Sequence, residues 1–333
     1  MRGCASPVSI LMLRFLLCVL LFTMSASGAL TGRITEYVVP TPESLPHDPA
    51  VDPQDRVWYT GQRANVIGLF DPTTQKFTEF PVPTPQSGPH GLTSDAQGNI
   101  WFTENSVGKI GRLDPRTGKI REFVIRGAKD PHTPTFGPDG RLWFTAQQAN
   151  VVVRFNVKSY GFRIYPVPTP EARPYGLIAA PDGKLWFCEL AGGKIASIEP
   201  GTGAVTEYAA PTPKSGPRRL APDDTYLWVS ENFAGKIARF NYRTHEWKEY
   251  DSPSGPESRP YGIAVAADGS VWYNEAGADK MVRFEPTTER FETFAMPSLR
   301  SVVRHMVRDS KGTLWLAVSG PRGTDNNQIA RID

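Results

Sequence analysis

Residues 89–123 read PHGLTSDAQGNIWFTENSVGKIGRLDPRTGKIREF. Four short runs, GLTS, IWFTE, KIGRLD and IREF, alternate with turn-forming stretches: Asp95-Ala96-Gln97-Gly98, a second stretch holding Gly108, and Pro115-Arg116-Thr117-Gly118. Gly, Pro, Asn and Asp supply the backbone angles that tight turns need, so the unit reads as a four-stranded antiparallel meander. The unit recurs along the chain. Tryptophan stands in the same local context at Trp58, Trp101, Trp143, Trp186, Trp228, Trp272 and Trp315, spaced 42 to 44 residues apart, and Trp247 lies outside the series. Four strands in such a period, repeated radially, are the signature of a β-propeller. The chain is therefore expected to be all-β, a seven-bladed propeller of four-stranded antiparallel blades.

The two ends fit that reading better than a stacked solenoid, which needs capping repeats. The last unit stops at Ile329-Ala330-Arg331-Ile332-Asp333, which matches the third strand KIGRLD and lacks a fourth. Near the front, Arg33-Ile34-Thr35-Glu36-Tyr37-Val38 resembles fourth strands such as Phe77-Thr78-Glu79-Phe80 and Val205-Thr206-Glu207-Tyr208. An N-terminal strand that closes the last blade removes an exposed edge. The repeated Trp is read as core between neighbouring blades, and the segments Pro83-Thr84-Pro85, Pro168-Thr169-Pro170 and Pro211-Thr212-Pro213 as rigid connectors.

The 333 residues include 31 Pro and 30 Gly, which favours short strands over long helices. Net charge is +3, and the basic residues are dispersed, which points away from nucleic acid. Residues 1–29 read as a secretory leader: Arg2 and Arg14, the apolar run Phe15–Met24, then small residues with cleavage near Ala29. The run is too short for a membrane span. The expected product is an exported, periplasmic or extracellular monomer comprising residues 30–333, with no membrane span. Of Cys4, Cys18 and Cys188 only the last survives cleavage, so no internal disulfide can form. Cys188, inside the apolar run Trp186-Phe187-Cys188, reads as packing.

Chemistry concentrates at the start of each unit. A Pro-X pair precedes the first strand, and X is His47, His90, His132, Tyr175, Arg218 and Tyr261 in blades one to six, with Arg304-His305 in blade seven. Counting from the hairpin places His90 opposite Glu104. A second ring then holds Glu104, Glu189, Glu231 and Glu275. Both rings are expected at one mouth of the central channel, as a polar pocket for a small-molecule ligand, a divalent ion or a histidine base. Nucleophile-elbow, zinc-protease, phosphate-loop and Cys-rich metal motifs are all missing.

The WFTE…GKIGR core, the PHG and PYG openers and the TEF and PVPTP closers resemble the streptogramin lyase (virginiamycin B lyase) family over nearly all of residues 30–333. The resemblance implies a seven-bladed propeller that opens a cyclic ester or depsipeptide by elimination: a base removes the proton alpha to the ester carbonyl while magnesium near carboxylates stabilises the enolate. The family's Glu-Pro-His-Gly opener in the last blade would put its base on His305, its Pro on Arg304 and its Glu on Val303. A second carboxylate falls near Ser319, a helper His on Tyr261, and a first-blade Tyr on His47. His305 and His47 are thus the catalytic candidates. The binding candidates are His90, His132, Tyr175, Arg218, Tyr261, Glu189, Glu231 and Glu275. Glu104 and Asp130, the latter in the acidic opener Asp130-Pro131-His132, are the candidate metal carboxylates. Three functions follow: a lyase of the family type, a non-catalytic binding propeller that has lost the family's carboxylates, or a metal-dependent hydrolase.

Overall fold

Blade two forms as its turns dictate. Pro89–Ser94, Ile100–Glu104, Lys109–Asp114 and Lys119–Val124 pair antiparallel in that order, and Gly98 takes φ +81, a conformation that favours glycine at the first hairpin. The computed structural model describes residues 30–321, 323–324 and 326–333, with residues 1 and 3. The leader read over 1–29, including Cys4 and Cys18, otherwise lies outside the described residues. Seven such sheets surround an axis, and in six of them the innermost strand comes first in sequence. No α-helix occurs among the described residues, and one 3-10 turn spans Pro256–Ser258. The seventh sheet orders Ile34–Val38, Asn327–Ile332, Leu314–Ser319 and Val302–Arg308, so the front strand does close the last blade. Its register runs from Ile34 opposite Ile332 to Val38 opposite Gln328.

The seven tryptophans of the series are at most 2% exposed and sit between blades with Leu, Ile, Val and Phe from both sides. Deleting a buried Trp side chain typically costs about 3–5 kcal/mol, so the seven carry much of the ring's cohesion. Each indole N–H is also held. In six blades it donates to an Asp of the preceding hairpin: Trp58 to Asp52, Trp101 to Asp95, Trp143 to Asp139, Trp186 to Asp182, Trp228 to Asp223 and Trp315 to Asp309, at 2.7–3.0 Å. In blade six Trp272 donates to the Ser270 hydroxyl. The same Asp accepts backbone N–H groups of its own turn, as Asp95 does from Gln97 and Asn99. One carboxylate thus shapes the hairpin and anchors the core residue.

The Pro-Thr-Pro connectors are clamps as well as spacers. Thr84 donates its N–H and hydroxyl to Glu122 on the outermost strand of the next blade, at 3.0 and 2.9 Å. Thr169 does the same to Glu207, and Thr212 to Glu249. Inner strands are sewn together by second-strand hydroxyls: Thr60, Thr103 and Thr145 each donate to the opener carbonyl of the next blade, His90, His132 and Tyr175, at 2.6–2.7 Å.

Asp95→Ala is expected to destabilise the protein by about 1.5–3 kcal/mol, since it orphans a buried indole N–H and opens the turn. Asp95→Asn, which keeps an acceptor, should cost less. Denaturant midpoints of the two variants measure the difference.

Candidate functional site

The innermost strand of every blade carries a bulge. In blade two Pro89 pairs with Glu104 and Leu92 with Phe102, so two residues, His90 and Gly91, face Thr103 alone. The other blades shift register at the same place. A bulge re-aims the side chain of the extra residue, and here it turns the residue after Pro towards the axis. Glu104 therefore lies opposite Pro89 rather than His90, one position out from the pairing expected by counting. The two rings do not merge.

The axial ring is continuous and nearly closed to solvent. The imidazoles of His47 and His90 lie 3.7 Å apart between centroids, His90 and His132 3.8 Å, and His132 and the Tyr175 ring 4.0 Å. The Tyr175 and Tyr261 hydroxyls meet at 2.5 Å. The Arg218 guanidinium stacks 3.7 Å above the Tyr261 ring and donates to Tyr175 Oη and Asn232 Oδ1. His47, His90, His132, Tyr175, Arg218 and Tyr261 are thus brought together as expected, although the three histidines are only 2–4% exposed.

Blade seven departs from the expectation. Val303 pairs with Val318 and Met306 with Leu316. This register puts Arg304 in the axial slot and His305 in the slot after it, where the other blades have Asp48, Gly91, Thr133, Gly176, Arg219 and Gly262. Carried along this register, a Glu-Pro-His-Gly opener falls on Val302-Val303-Arg304-His305. Its histidine meets Arg304, whose guanidinium bonds the Ser319 hydroxyl. The second-strand position equivalent to Glu104 is Val318. These side chains do not fit a magnesium ion, which needs oxygen ligands.

The slot after the axial ring forms a second layer that sequence reasoning missed. In blades two, four and six it is glycine, because the next blade's backbone fills the space. A Cβ on Gly91 would come within 2.3 Å of the His132 carbonyl, and one on Gly176 within 2.7 Å of the Arg218 carbonyl. The other four blades supply Asp48, Thr133, Arg219 and His305. Arg219 crosses the axis from blade five. It donates to Asp48 Oδ1 at 2.7 Å, to Thr133 Oγ1 at 3.2 Å and to the Arg304 carbonyl at 2.9 Å. Arg219 and Asp48 are each 1% exposed. His47 Nδ1 lies 2.9 Å from the same Asp48 oxygen, and a carboxylate only accepts, so that nitrogen carries the proton. Burial alone would push the Asp48 carboxyl up, but Arg219 and the His47 N–H hold it well below the usual range. Burial lowers His47 to about 4 against the pull of Asp48. Burial and then Arg219 lower His305 to about 4. Both imidazoles are neutral at pH 7.

Below this layer lies a pocket of about 280 Å³, open at the end where the inner strands finish, at Val51, Ser94 and Thr135. Its walls include Leu92, Leu177, Ile178 and Val307, and its deepest polar residues are Asp48, Thr133 and His305. The opening is thus opposite to the mouth where the inner strands begin.

The glutamates belong to separate networks inside the blades. Glu104 lies beside Glu122, Ser87 and Lys109. Glu189 lies beside Glu207, Lys194 and Thr169. Glu231 accepts from Ser215 at 2.7 Å, and Glu275 accepts from the Ser254 N–H and hydroxyl. Glu104 therefore does not join the histidines as a metal carboxylate. Asp130, half-buried at φ +59, lines a groove with Lys129 and Gln148 instead of facing the axis. Burial first, and then the neighbouring Glu122 or Glu207, push Glu104 and Glu189 up to about 8. Burial pushes Glu231 up to about 7.

Two measurements follow. Arg219→Ala leaves Asp48 buried without its cation and is expected to cost about 3–5 kcal/mol in chemical denaturation. The glutamates work in the opposite pH direction. A folded pKa above the unfolded value gives stability that is present below about pH 4.3 and lost as pH rises through the folded value. Glu104→Gln, always neutral, should therefore match the wild type below about pH 4 and exceed its Tm by about 2–4 °C near pH 9. Equal Tm values at pH 9 would show that Glu104 ionises without cost.

Comparison with known proteins agrees with this architecture. The model of the virginiamycin B lyase family matches residues 23–245 and 163–333. No curated protein matches the chain. Among solved structures, a streptogramin B lyase is 27% identical and covers 90% of this chain and 97% of its own, with a TM-score of 0.82. Virginiamycin B lyase from Staphylococcus aureus is 30% identical, over 90% and 98% of the two chains, with a TM-score of 0.81. A catalytically inactive variant of that enzyme, solved with quinupristin, is 28% identical over the same shares with a TM-score of 0.81. With the repeat, the closed ring and the family match in agreement, the chain belongs to the virginiamycin B lyase family.

Proposed function

We propose that this chain is an exported ligand-binding member of its family, one that captures a small neutral molecule in the axial pocket and has given up elimination chemistry. The observation that carries the reading is the seventh-blade opener. Arg304 stands where the family motif, carried along this register, puts its histidine, Val302 where it puts its Glu, and Ser319, near which the second carboxylate is expected, offers only a hydroxyl that Arg304 already bonds. The magnesium expected from the resemblance finds no ligands there, so no step is assigned to it.

His305 supports the same reading. An imidazole whose conjugate acid has a pKa of about 4 is a weak base for a carbon-bound proton. As a neutral group at the pocket floor it donates or accepts a hydrogen bond equally well. Arg219 offsets the charge of Asp48 at the floor, and the walls mix aliphatic Leu92, Leu177, Ile178 and Val307 with Thr93, Ser94, Thr135 and Arg308. That combination suits a small molecule with both apolar and hydrogen-bonding groups, sized for about 280 Å³.

A second reading keeps the family reaction with His305 as base and His47 beside it; family membership and the position of His305 on the channel favour it. Incubation with quinupristin and magnesium, followed by mass spectrometry, separates the two. The cyclic compound is expected to remain intact. Ring opening that disappears in His305→Ala would establish the second reading instead.

A further inference from the structure

The axial ring carries two cations and no acid. Arg218 and Arg304 occupy two of its seven slots, and the other five hold histidine or tyrosine. Burial keeps the three histidines neutral. Every hydrogen bond that the two guanidinium groups make goes to a neutral oxygen: Asn232 Oδ1 and Tyr175 Oη for Arg218, the Ser319 hydroxyl for Arg304. Among the described residues neither arginine forms an ion pair. The acids of this region are committed elsewhere, Asp48 to Arg219 in the layer beneath and Glu231 to Ser215 inside its blade. Arg218 Nε is buried and has no partner. The Tyr175 and Tyr261 hydroxyls share one hydrogen bond, so one of their two protons finds no acceptor among the described residues. Asn232 and Ser319 stand where second strands finish, which is the mouth where the inner strands begin, so both guanidinium groups are drawn to that mouth. Both arginines are only partly buried there.

We propose that Arg218 and Arg304 bind an oxyanion, the carboxylate or phosphate group of a small ligand, at this mouth. A charge taken out of water is normally paired, and here the groups left open are N–H and O–H donors. Arg218 is held ready for the ligand: its guanidinium carbon lies 3.7 Å from the centre of the Tyr261 ring and 5.0 Å from that of Tyr175. Stacking fixes the plane of the guanidinium and leaves its edge, a rigid N–H fork, to match the oxygens of a carboxylate or phosphate. Tyr261 of blade six stands between the two arginines, from blades five and seven, so the anion would sit over blade six. The same charge disfavours a metal ion at this mouth. The site lies at the end of the axis opposite the 280 Å³ pocket and does not depend on what fills that pocket.

The test is calorimetric titration of the full propeller with inorganic phosphate and, separately, with acetate, at neutral pH and constant ionic strength. A single site is expected for the better probe, and tighter phosphate marks a phosphate ester as the recognised group, tighter acetate a carboxylate. Arg218→Gln and Arg304→Gln should each weaken that probe by about 10-fold or more, the loss of a charge-assisted hydrogen bond. Arg243→Gln, which removes an exposed arginine at the other end of blade five, should bind as the wild type does. The better probe should also raise the melting temperature of the wild type and leave that of Arg304→Gln nearly unmoved. Arg304 bonds only Ser319 through its side chain, so its variant carries the test even if Arg218→Gln fails to fold. A wild type that binds neither probe, or binding unchanged in either folded variant, would overturn the assignment.

Discussion

An extra residue in each innermost strand, set against one on its neighbour, decides which side chains reach the axis. Without the bulge, strict alternation would continue the ladder pairing that places a carboxylate across from the residue after proline. With it, seven ring-bearing or cationic side chains turn inward. The next seven positions become a layer in which glycine is required wherever the adjacent blade presses close. The glutamates are left on the blade side, where they pair with the outer strand and the connectors. The whole division between axis and blade interior follows from that local geometry.

The axis so formed holds a cation and an anion that are each 1% exposed. Arg219 and Asp48 bridge blades five and one, and Thr133 and the Arg304 carbonyl each take a further guanidinium donor. Desolvating such a pair offsets much of its mutual attraction. Its contribution is better described as specificity: one arginine, reaching across a space that three glycines leave open, sets the relative positions of four blades. Burial, with Arg219 adding to it and Asp48 opposing it, keeps His47 and His305 neutral, which couples the architecture of the channel to the chemistry available in it.

The fold was legible because its signal is periodic. Seven tryptophans at near-constant spacing, turn residues between short strands, and a spare strand at the front matched to a vacancy at the back led to the observed ring. The site was legible only in outline. Counting from the hairpin found the axial residues but not the bulge, so His90 was set against Glu104, and His305 was placed one slot from where it lies. Arg218 stood out as a departure from histidine and tyrosine, whereas its neighbour Arg219 had no visible partner. Asp48 is 171 positions away and meets it only through the ring. The available signal was the glycine after the axial residue in blades two, four and six, whose replacement by Asp48, Thr133, Arg219 and His305 marks where side chains enter the second layer. The turn aspartates were also in plain view, four to six residues before each tryptophan in six of the seven blades, but a turn residue does not advertise a second bond to an indole.

The closing seam imposes an order on the life of the molecule. Ile34 meets Ile332, so the first strand synthesised can take its place only after the last has appeared. Bringing together chain ends separated by about 300 residues costs on the order of 5 kcal/mol of loop-closure entropy, and topologies built on distant contacts fold slowly. Until then the outward face of Asn327–Ile332 is an unpaired template. For as long as that edge lacks its partner, a protein of this build offers its own copies a strand to pair with.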